Sequence, residues 1–389
     1  MNSSFPRHVV LLGATGSIGS SAAEVARAIP DRMKIVGLSG NNNRERLLEM
    51  TREFHPQAIS TQNATAAQEI RQELGNTCKI DHGPEGLIKL ATMPEADLVL
   101  IAISGTAGLA PALAALEEEK DLAVASKEIL VMAGKHVMAA AKKHHANVLP
   151  VDSEHSALFQ CLEGRDPATV RRLILTCSGG PFRNVEKAEA LFDVTPEMAL
   201  RHPTWKMGKK ITLDSATLFN KGLEMIEAQW LFNVPMEKID VVIHPESIIH
   251  SMVEFVDGSI LAQLSQNNMM LPIQYAVTYP HRVAGPASYL DLASIGRLHF
   301  ENPRHDLFPA LRLARHAGIQ GGTMPAVLNA ANEVAVALFL EGKISFPEIW
   351  HFVERAMNTI PQINNPSLEE IITADQMTRT LLSYTTSNK

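Results

Sequence analysis

Apolar residues along the first 150 positions come in short runs closed by glycine, serine or proline, with helix-patterned stretches between them. Val9-Val10-Leu11-Leu12 stops at Gly13, and a second run at 34–38 stops at Ser39-Gly40. Residues 20–29 between them have helical composition and end before Pro30. Two such runs joined through a helix are the strand–helix–strand unit of a parallel sheet. Further strands are predicted at 58–60, 98–103, 122–125 and 148–151, and helices at 44–53, 64–74, 109–119 and 134–144. Residues 1–150 are therefore expected to form a Rossmann-like, doubly wound α/β domain.

The pattern changes after Pro150. Residues 151–285 mix helix and strand signals, as in an α+β domain: 170–176 and 239–243 resemble buried strands, and 251–256 with 259–264 a hairpin turning at Asp257-Gly258. Residues 179–210 carry several prolines and glycines, which fits either a mobile functional loop or a surface excursion with one short helix. Residues 286–311 resemble a connector. From 312 to 389 the pattern is helical, with helices expected at 326–340, 346–357 and 368–384 and Pro347 in a first turn after a Ser345 cap.

Composition narrows the class. Hydrophobic residues are 46% and charged residues 20% of the 389, a folded rather than disordered mix. The net charge of −7 argues against a general nucleic-acid coat. Cys78, Cys161 and Cys177 form no disulfide framework and no zinc-type pair, which fits a reducing compartment. No apolar stretch approaches the roughly 18 residues that cross a bilayer. The N-terminus runs into its first strand without a secretory pattern, so a cytoplasmic protein with no membrane partner is expected.

Candidate chemistry begins at Gly13-Ala14-Thr15-Gly16-Ser17-Ile18-Gly19, between a strand and a helix. Glycines there let the backbone approach a pyrophosphate at the helix N-terminus, although a tight turn without ligand would use the same residues. No Asp or Glu follows the second strand before Glu45. Amides at 41–43 and Arg44 suit a 2′-phosphate, and hence NADPH over NADH; those asparagines can equally cap the next helix. In Asp152-Ser153-Glu154-His155, a continued strand would project both carboxylates from one face as half of a hard-cation site; a helix start would use Asp152 or Ser153 as its cap. In the segment 214–224, Asn220, Lys221 and Glu224 share a helix face if it is helical from Ser215 onward. That face suits an anionic substrate beside a metal, or a solvated ion pair. Other candidates are Ser126-Lys127-Glu128, Cys177-Ser178-Gly179-Gly180-Pro181, the segment 202–208 with its His, Trp and Gly, and the segment 244–250.

Taken in order, GATGSIG, ASKE, PVDSEHSA, SGGPF, HPTWKMGKKITLDSATLFNKGLE, HPESIIHSMV, LPIQYAVTYPHR and AVLNAANEVAVA closely resemble the 1-deoxy-D-xylulose 5-phosphate reductoisomerase family over nearly the whole chain. The resemblance implies an N-terminal NADPH domain, a central catalytic domain, a connector and a C-terminal helical bundle, assembled as a V-shaped homodimer. It implies that Asp152, Glu154 and Glu224 bind one divalent cation (Mg²⁺, Mn²⁺ or Co²⁺). Lys127, Ser153 and Glu154 would face the oxygenated carbons of a small phosphorylated sugar. Ser178, His202, Ser215, Asn220 and Lys221 would line its phosphate end, with Glu224 beside them. Thr15, Gly16, Ser17, Ile18, Gly40, Asn41, Asn42, Ser126, Glu128 and Gly208 would contact NADPH. His202, Trp205 and Met207 would close over the substrate as a lid within 179–210, and Lys127, Glu154 and His202 would take the catalytic roles. The implied reaction breaks and remakes a carbon–carbon bond, as retro-aldol then aldol, and reduces the resulting aldehyde with NADPH. Ser126, Asn41, Asn268 and Met270 depart from the family's usual residues; none is a metal ligand. The alternatives are another NADPH-linked dehydrogenase for a phosphorylated or acidic substrate, and a catalytically dead NADPH sensor.

Overall fold

The computed structural model describes residues 5–201 and 207–386. The chain divides into two compact units: 1–129, 135–156 and 268–288 in the first, and 130–134, 157–267 and 289–389 in the second.

The first unit is built on seven parallel strands: β1 (Arg7–Leu12), β2 (Met33–Ser39), β3 (Ala58–Thr61), β4 (Lys79–His82), β5 (Leu98–Ile101), β6 (Asp121–Val124) and β7 (Val148–Pro150). Their order is β4-β3-β2-β1-β5-β6-β7, so the winding reverses between β1 and β5. Val9 to Leu12 and Leu98 to Ile101 are wholly buried. A parallel sheet covered on both faces demands such continuous apolar strands, which is why their runs could be read directly. The exposed, polar β4 and the helix Gly83–Ala91 after it were not expected, because an edge strand of Lys, Ile, Asp and His has no apolar run to betray it. Residues 268–288 also belong to this unit. Their helix Met270–Thr278 packs on the helix Ser17–Ala28, and Arg7 pairs with Asp121 while reaching the carbonyls of Ala276 and Val277 at 3.5 Å.

In the second unit β8 (Val170–Cys177), β9 (Ile239–Ile243), β10 (Ile249–Phe255) and β11 (Ile260–Leu264) form a mixed sheet in the order β11-β10-β8-β9. The expected hairpin joins β10 and β11, with Asp257 Oδ1 accepting from the Ser259 N–H at 2.9 Å. Helices Ala310–Gln320, Met324–Leu340, Glu348–Thr359 and Leu368–Thr386 complete the unit. The N–H and hydroxyl of Ser345 both donate to Glu348 Oε2, the carboxylate half of a capping box, and the helix begins at Glu348, one residue after the expected first-turn residue Pro347. Phe346 is fully buried, edge-on to Phe182, Phe339 and Trp350. Phe182 therefore ties the start of the 179–210 segment into the core, and Leu191, Val194 and Ala199 are buried in the same cluster. The helix Pro196–Ala199 is capped by Thr195. Residues 179–201 are thus an anchored excursion. His202 and Trp205 lie outside the described residues.

Candidate active site

Loops at the carboxyl ends of β1, β6 and β7 carry the first unit's candidate chemistry, where doubly wound sheets hold their ligands. Gly13 follows β1 at φ +94°, and a Cβ there would stand 2.3 Å from the carbonyl oxygen of Ala102 after β5. Only glycine lets the turn close this tightly at the switch point. The helix Ser17–Ala28 starts at Gly16 with no side chain capping it, so its first N–H groups remain for an anion. Gly16 and Ser17 are exposed there, and Thr15 and Ile18 half-buried. Gly40 is buried at the end of β2, with Asn41 and Asn42 exposed beyond it. Asn43 caps the next helix, accepting from the Arg46 N–H at 3.0 Å. Arg44, beside those amides, is half-buried, and its guanidinium pairs with Glu73 and lies 3.7 Å from Glu69.

The helix expected from 134 instead begins at Lys127 and bends at Ala133, so Ser126-Lys127-Glu128 is a helix start. Ser126 is buried with its hydroxyl donating to the Ile103 carbonyl, and Glu128 is half-buried. The strand reading of 152–154 is also corrected. β7 ends at Pro150 and the helix Ser153–Leu162 begins at once, with the Asp152 carbonyl accepting from the Ser156 N–H. The two carboxylates are gathered by a helix start rather than by a strand face. Lys127 Nζ lies 2.6 Å from Asp152 Oδ2, with the lysine almost wholly buried. Ser153 donates to Glu154 Oε2 at 2.6 Å. His155, fully buried, stands with Nδ1 4.0 Å from Asp152 Oδ2.

In the second unit the expected continuous helix from Ser215 is broken. One helix spans Lys209–Thr217, Leu218 takes the left-handed conformation at φ +66°, and a second spans Phe219–Phe232. The break leaves the second helix's register intact. Asn220 Nδ2 donates to Glu224 Oε1 at 2.6 Å, and the Lys221 ammonium pairs with Glu224 Oε2. Lys221 and Glu224 are buried, which excludes the solvated-face reading. Leu223 and Ile226 are fully buried on the packing side. His250 on β10 is neutral at ordinary pH. Burial pushes its pKa down to about 4, helped by the positive charge of Lys221 and opposed by backbone hydrogen bonds to Ser265 and Gln266.

Ser178 follows β8, and its hydroxyl accepts from the Gly180 N–H at 3.2 Å. Gly180 has φ +68°, and a Cβ there would meet the Ser215 carbonyl oxygen at 2.8 Å. That approach brings the Ser178 loop against the helix of Ser215, two hydroxyl-bearing segments of the kind that cradle a phosphate. Gly180→Ala would clash with fixed backbone and strain φ. It is expected to raise the KM for a phosphorylated substrate at least tenfold while leaving the Kd for NADPH unchanged. Steady-state kinetics with both substrates varied checks this, and an unaltered KM would remove the close approach from the site. Gly208, exposed, caps the Lys209–Thr217 helix, and Met207 before it is half-buried.

Three family models match in succession: 1-deoxy-D-xylulose 5-phosphate reductoisomerase at 9–134, its C-terminal domain at 148–232, and the DXP reductoisomerase C-terminal domain at 264–381. A 1-deoxy-D-xylulose 5-phosphate reductoisomerase of Pelotomaculum thermopropionicum is 51% identical over 377 residues, covering 96% of this chain and 97% of its own. The chain belongs to the 1-deoxy-D-xylulose 5-phosphate reductoisomerase family.

A second member, from Bacillus cereus, is 50% identical over 374 residues, covering 96% of this chain and 98% of that one. Among solved structures of the family, DOX-P reductoisomerase in complex with NADPH, fosmidomycin and magnesium superposes with a TM-score of 0.93 at 39% identity, over 98% of each chain. The Zymomonas mobilis reductoisomerase in complex with NADPH gives 0.91 at 40% identity, over 98% of this chain and 99% of that one. The family and the fold class expected from the ordered motifs are borne out. The reductoisomerase motifs fall at the β1 loop, the starts of the Lys127 and Ser153 helices, the Ser178 loop and the Asn220–Glu224 helix face. Asp214 and Asn332 lie within two of those motifs, and the structure joins them directly, Asn332 Nδ2 to Asp214 Oδ1 at 2.8 Å. No pattern in sequence could pair residues so far apart.

Proposed function

We infer that this chain converts 1-deoxy-D-xylulose 5-phosphate to 2-C-methyl-D-erythritol 4-phosphate, oxidising NADPH and using one divalent cation per subunit. The observation that carries the reading is the buried Lys127–Asp152 pair beside the Ser153–Glu154 hydrogen bond, set in a chain related to the family along its length. A lysine and two carboxylates at a parallel sheet's carboxyl edge supply charge and oxygen donors where a dinucleotide fold presents its hydride.

The proposed ligands of the cation are Asp152, Glu154 and Glu224, an all-oxygen set that suits Mg²⁺, Mn²⁺ or Co²⁺ better than a softer zinc site. When bound, the cation would act as a Lewis acid, stabilising negative charge on neighbouring substrate oxygens. Lys127 balances the charge of Asp152 and orients the substrate's hydroxyls. Ser153 holds the carboxylate of Glu154, the candidate for moving the proton. Ser178, Ser215, Asn220 and Lys221 anchor the phosphate, which keeps the two fragments of a retro-aldol cleavage together until the aldol step rejoins them. Hydride transfer from NADPH then reduces the branched aldehyde. The backbone of Thr15 to Ile18 would take the pyrophosphate, with Gly40, Asn41, Asn42, Ser126, Glu128 and Gly208 along the rest of the cofactor. His202 and Trp205, with Met207, would cover the substrate and exclude water.

The four-part organisation at 1–150, 151–285, 286–311 and 312–389, the homodimer and a cytoplasmic location belong to the same reading. No helix among the described residues is long and apolar enough to cross a membrane. The test is NADPH oxidation followed by near-UV absorbance with 1-deoxy-D-xylulose 5-phosphate and Mg²⁺ or Mn²⁺. Oxidation should yield the branched polyol phosphate, fall to background with a chelator and return with added metal. NADPH binding without oxidation would favour a different dehydrogenase that keeps this fold.

A further inference from the structure

Behind the proposed phosphate end lies a buried polar chain that the mechanism above does not use. Asp214 sits on the Lys209–Thr217 helix immediately before Ser215, and its side chain is almost wholly buried. One carboxylate oxygen pairs with Lys210 Nζ at 2.6 Å, one helical turn earlier. The other accepts from Asn332 Nδ2 at 2.8 Å. Asn332 is fully buried on the helix Met324–Leu340 of the C-terminal bundle, 118 residues away in sequence.

The chemistry of Asn332 is informative. Facing a carboxylate, its amide must present nitrogen, because its carbonyl oxygen would be repelled. That oxygen is then left with no hydrogen-bond partner among the described residues. A leucine of similar size would avoid that orphaned oxygen but would leave the buried Asp214 carboxylate without its donor. Packing alone therefore does not account for asparagine at 332. Asn329, one turn earlier and equally buried, also has a carbonyl oxygen without a partner among the described residues; what differs is its nitrogen, which donates to Glu333 Oε1 at 3.1 Å.

We propose that Asn332 is a positioning residue for the substrate's phosphate end: it fixes the Asp214 carboxylate, and through it Lys210 and the backbone that carries Ser215. The proposal rests on the functional reading above, in which Ser215 binds the phosphate. Ser215 is then held from two sides, by the anchored Asp214 before it and by the close approach of Gly180 to its carbonyl and to Ala216. Freed from Asn332, the Asp214 carboxylate keeps among the described residues only Lys210, a partner on its own helix, so none of them registers that helix against the bundle through this carboxylate. A displacement on the order of 1 Å is enough to spoil a multi-point contact with an anion.

The experiment compares N332L, N332S, D214N and the control N329L in the full-length protein by steady-state kinetics, NADPH titration and thermal unfolding. N332L and D214N are expected to raise the KM for 1-deoxy-D-xylulose 5-phosphate about tenfold, with kcat within about threefold and NADPH affinity unchanged. The double variant should be no worse than D214N, because both act through one contact. N329L should keep the wild-type KM. A purely structural role would lower the melting temperature of N329L and N332L alike and leave KM alone, and that outcome overturns the proposal. Should N332L fail to fold, N332S carries the test with the same expected KM. A wild-type protein that does not turn over the sugar phosphate rejects the functional reading and this proposal together. An active wild type with an unshifted KM in the 332 and 214 variants rejects this proposal alone.

Discussion

Glu224→Gln is expected to lower kcat about a thousandfold while the protein stays folded. Glu224 is fully buried, accepts from Asn220 Nδ2 at 2.6 Å and pairs with the Lys221 ammonium. Glutamine keeps its volume and can still accept one of those bonds, so packing around Leu223 and Ile226 survives. It loses the negative charge, and with it the oxygen donor proposed for the cation and the counter-charge for Lys221. Lewis-acid stabilisation is worth several kcal/mol, and about 4 kcal/mol corresponds to a factor of about a thousand in rate. The measurement is kcat across a Mn²⁺ titration, with circular dichroism as the check on folding. A variant that keeps wild-type kcat and an unshifted metal requirement would take Glu224 out of the ligand set.

Lys127→Met should be almost as damaging, for a different reason. Lys127 begins its helix almost wholly buried with Nζ 2.6 Å from Asp152 Oδ2. Methionine fills much of the same space but leaves the Asp152 carboxylate without its nearest cation. Breaking a largely buried pair by removing one partner costs about 3–5 kcal/mol, and it changes the charge that a cation at Asp152 would meet. The expected result is a fall in kcat/KM of at least a hundredfold, with a shifted apparent affinity for Mg²⁺. Kinetics at several pH values and metal concentrations tests it. Loss of activity with an unchanged metal affinity at every pH would place Lys127 on the substrate alone and break the link to Asp152.

The order of the fold in the first unit was legible because the parallel sheet demands it. Strands buried on both faces must be continuous apolar runs, and Val9 to Leu12 ending at Gly13 announces both a strand and the turn that follows. The face shared by Asn220, Lys221 and Glu224 was legible for a similar reason, since helical spacing alone places i, i+3 and i+4 side by side. The eight ordered motifs carried the family by themselves.

Tertiary structure decided what short-range pattern cannot hold. Whether Asp152 and Glu154 meet on a strand or at a helix start depended on where β7 stops, and Pro150 ends it. Leu218 interrupts a helix because the chain must turn there, at a φ that its side chain disfavours and no periodicity records. Arg44 has the right charge and place in sequence for a 2′-phosphate, but its pairing with Glu69 and Glu73 of the neighbouring helix is written nowhere in the local pattern. Asp214 and Asn332 meet only because two helices pack. Burial and local periodicity act over a few residues and are written in the sequence. Partnership between distant polar groups is fixed by packing, and only the folded chain reveals it.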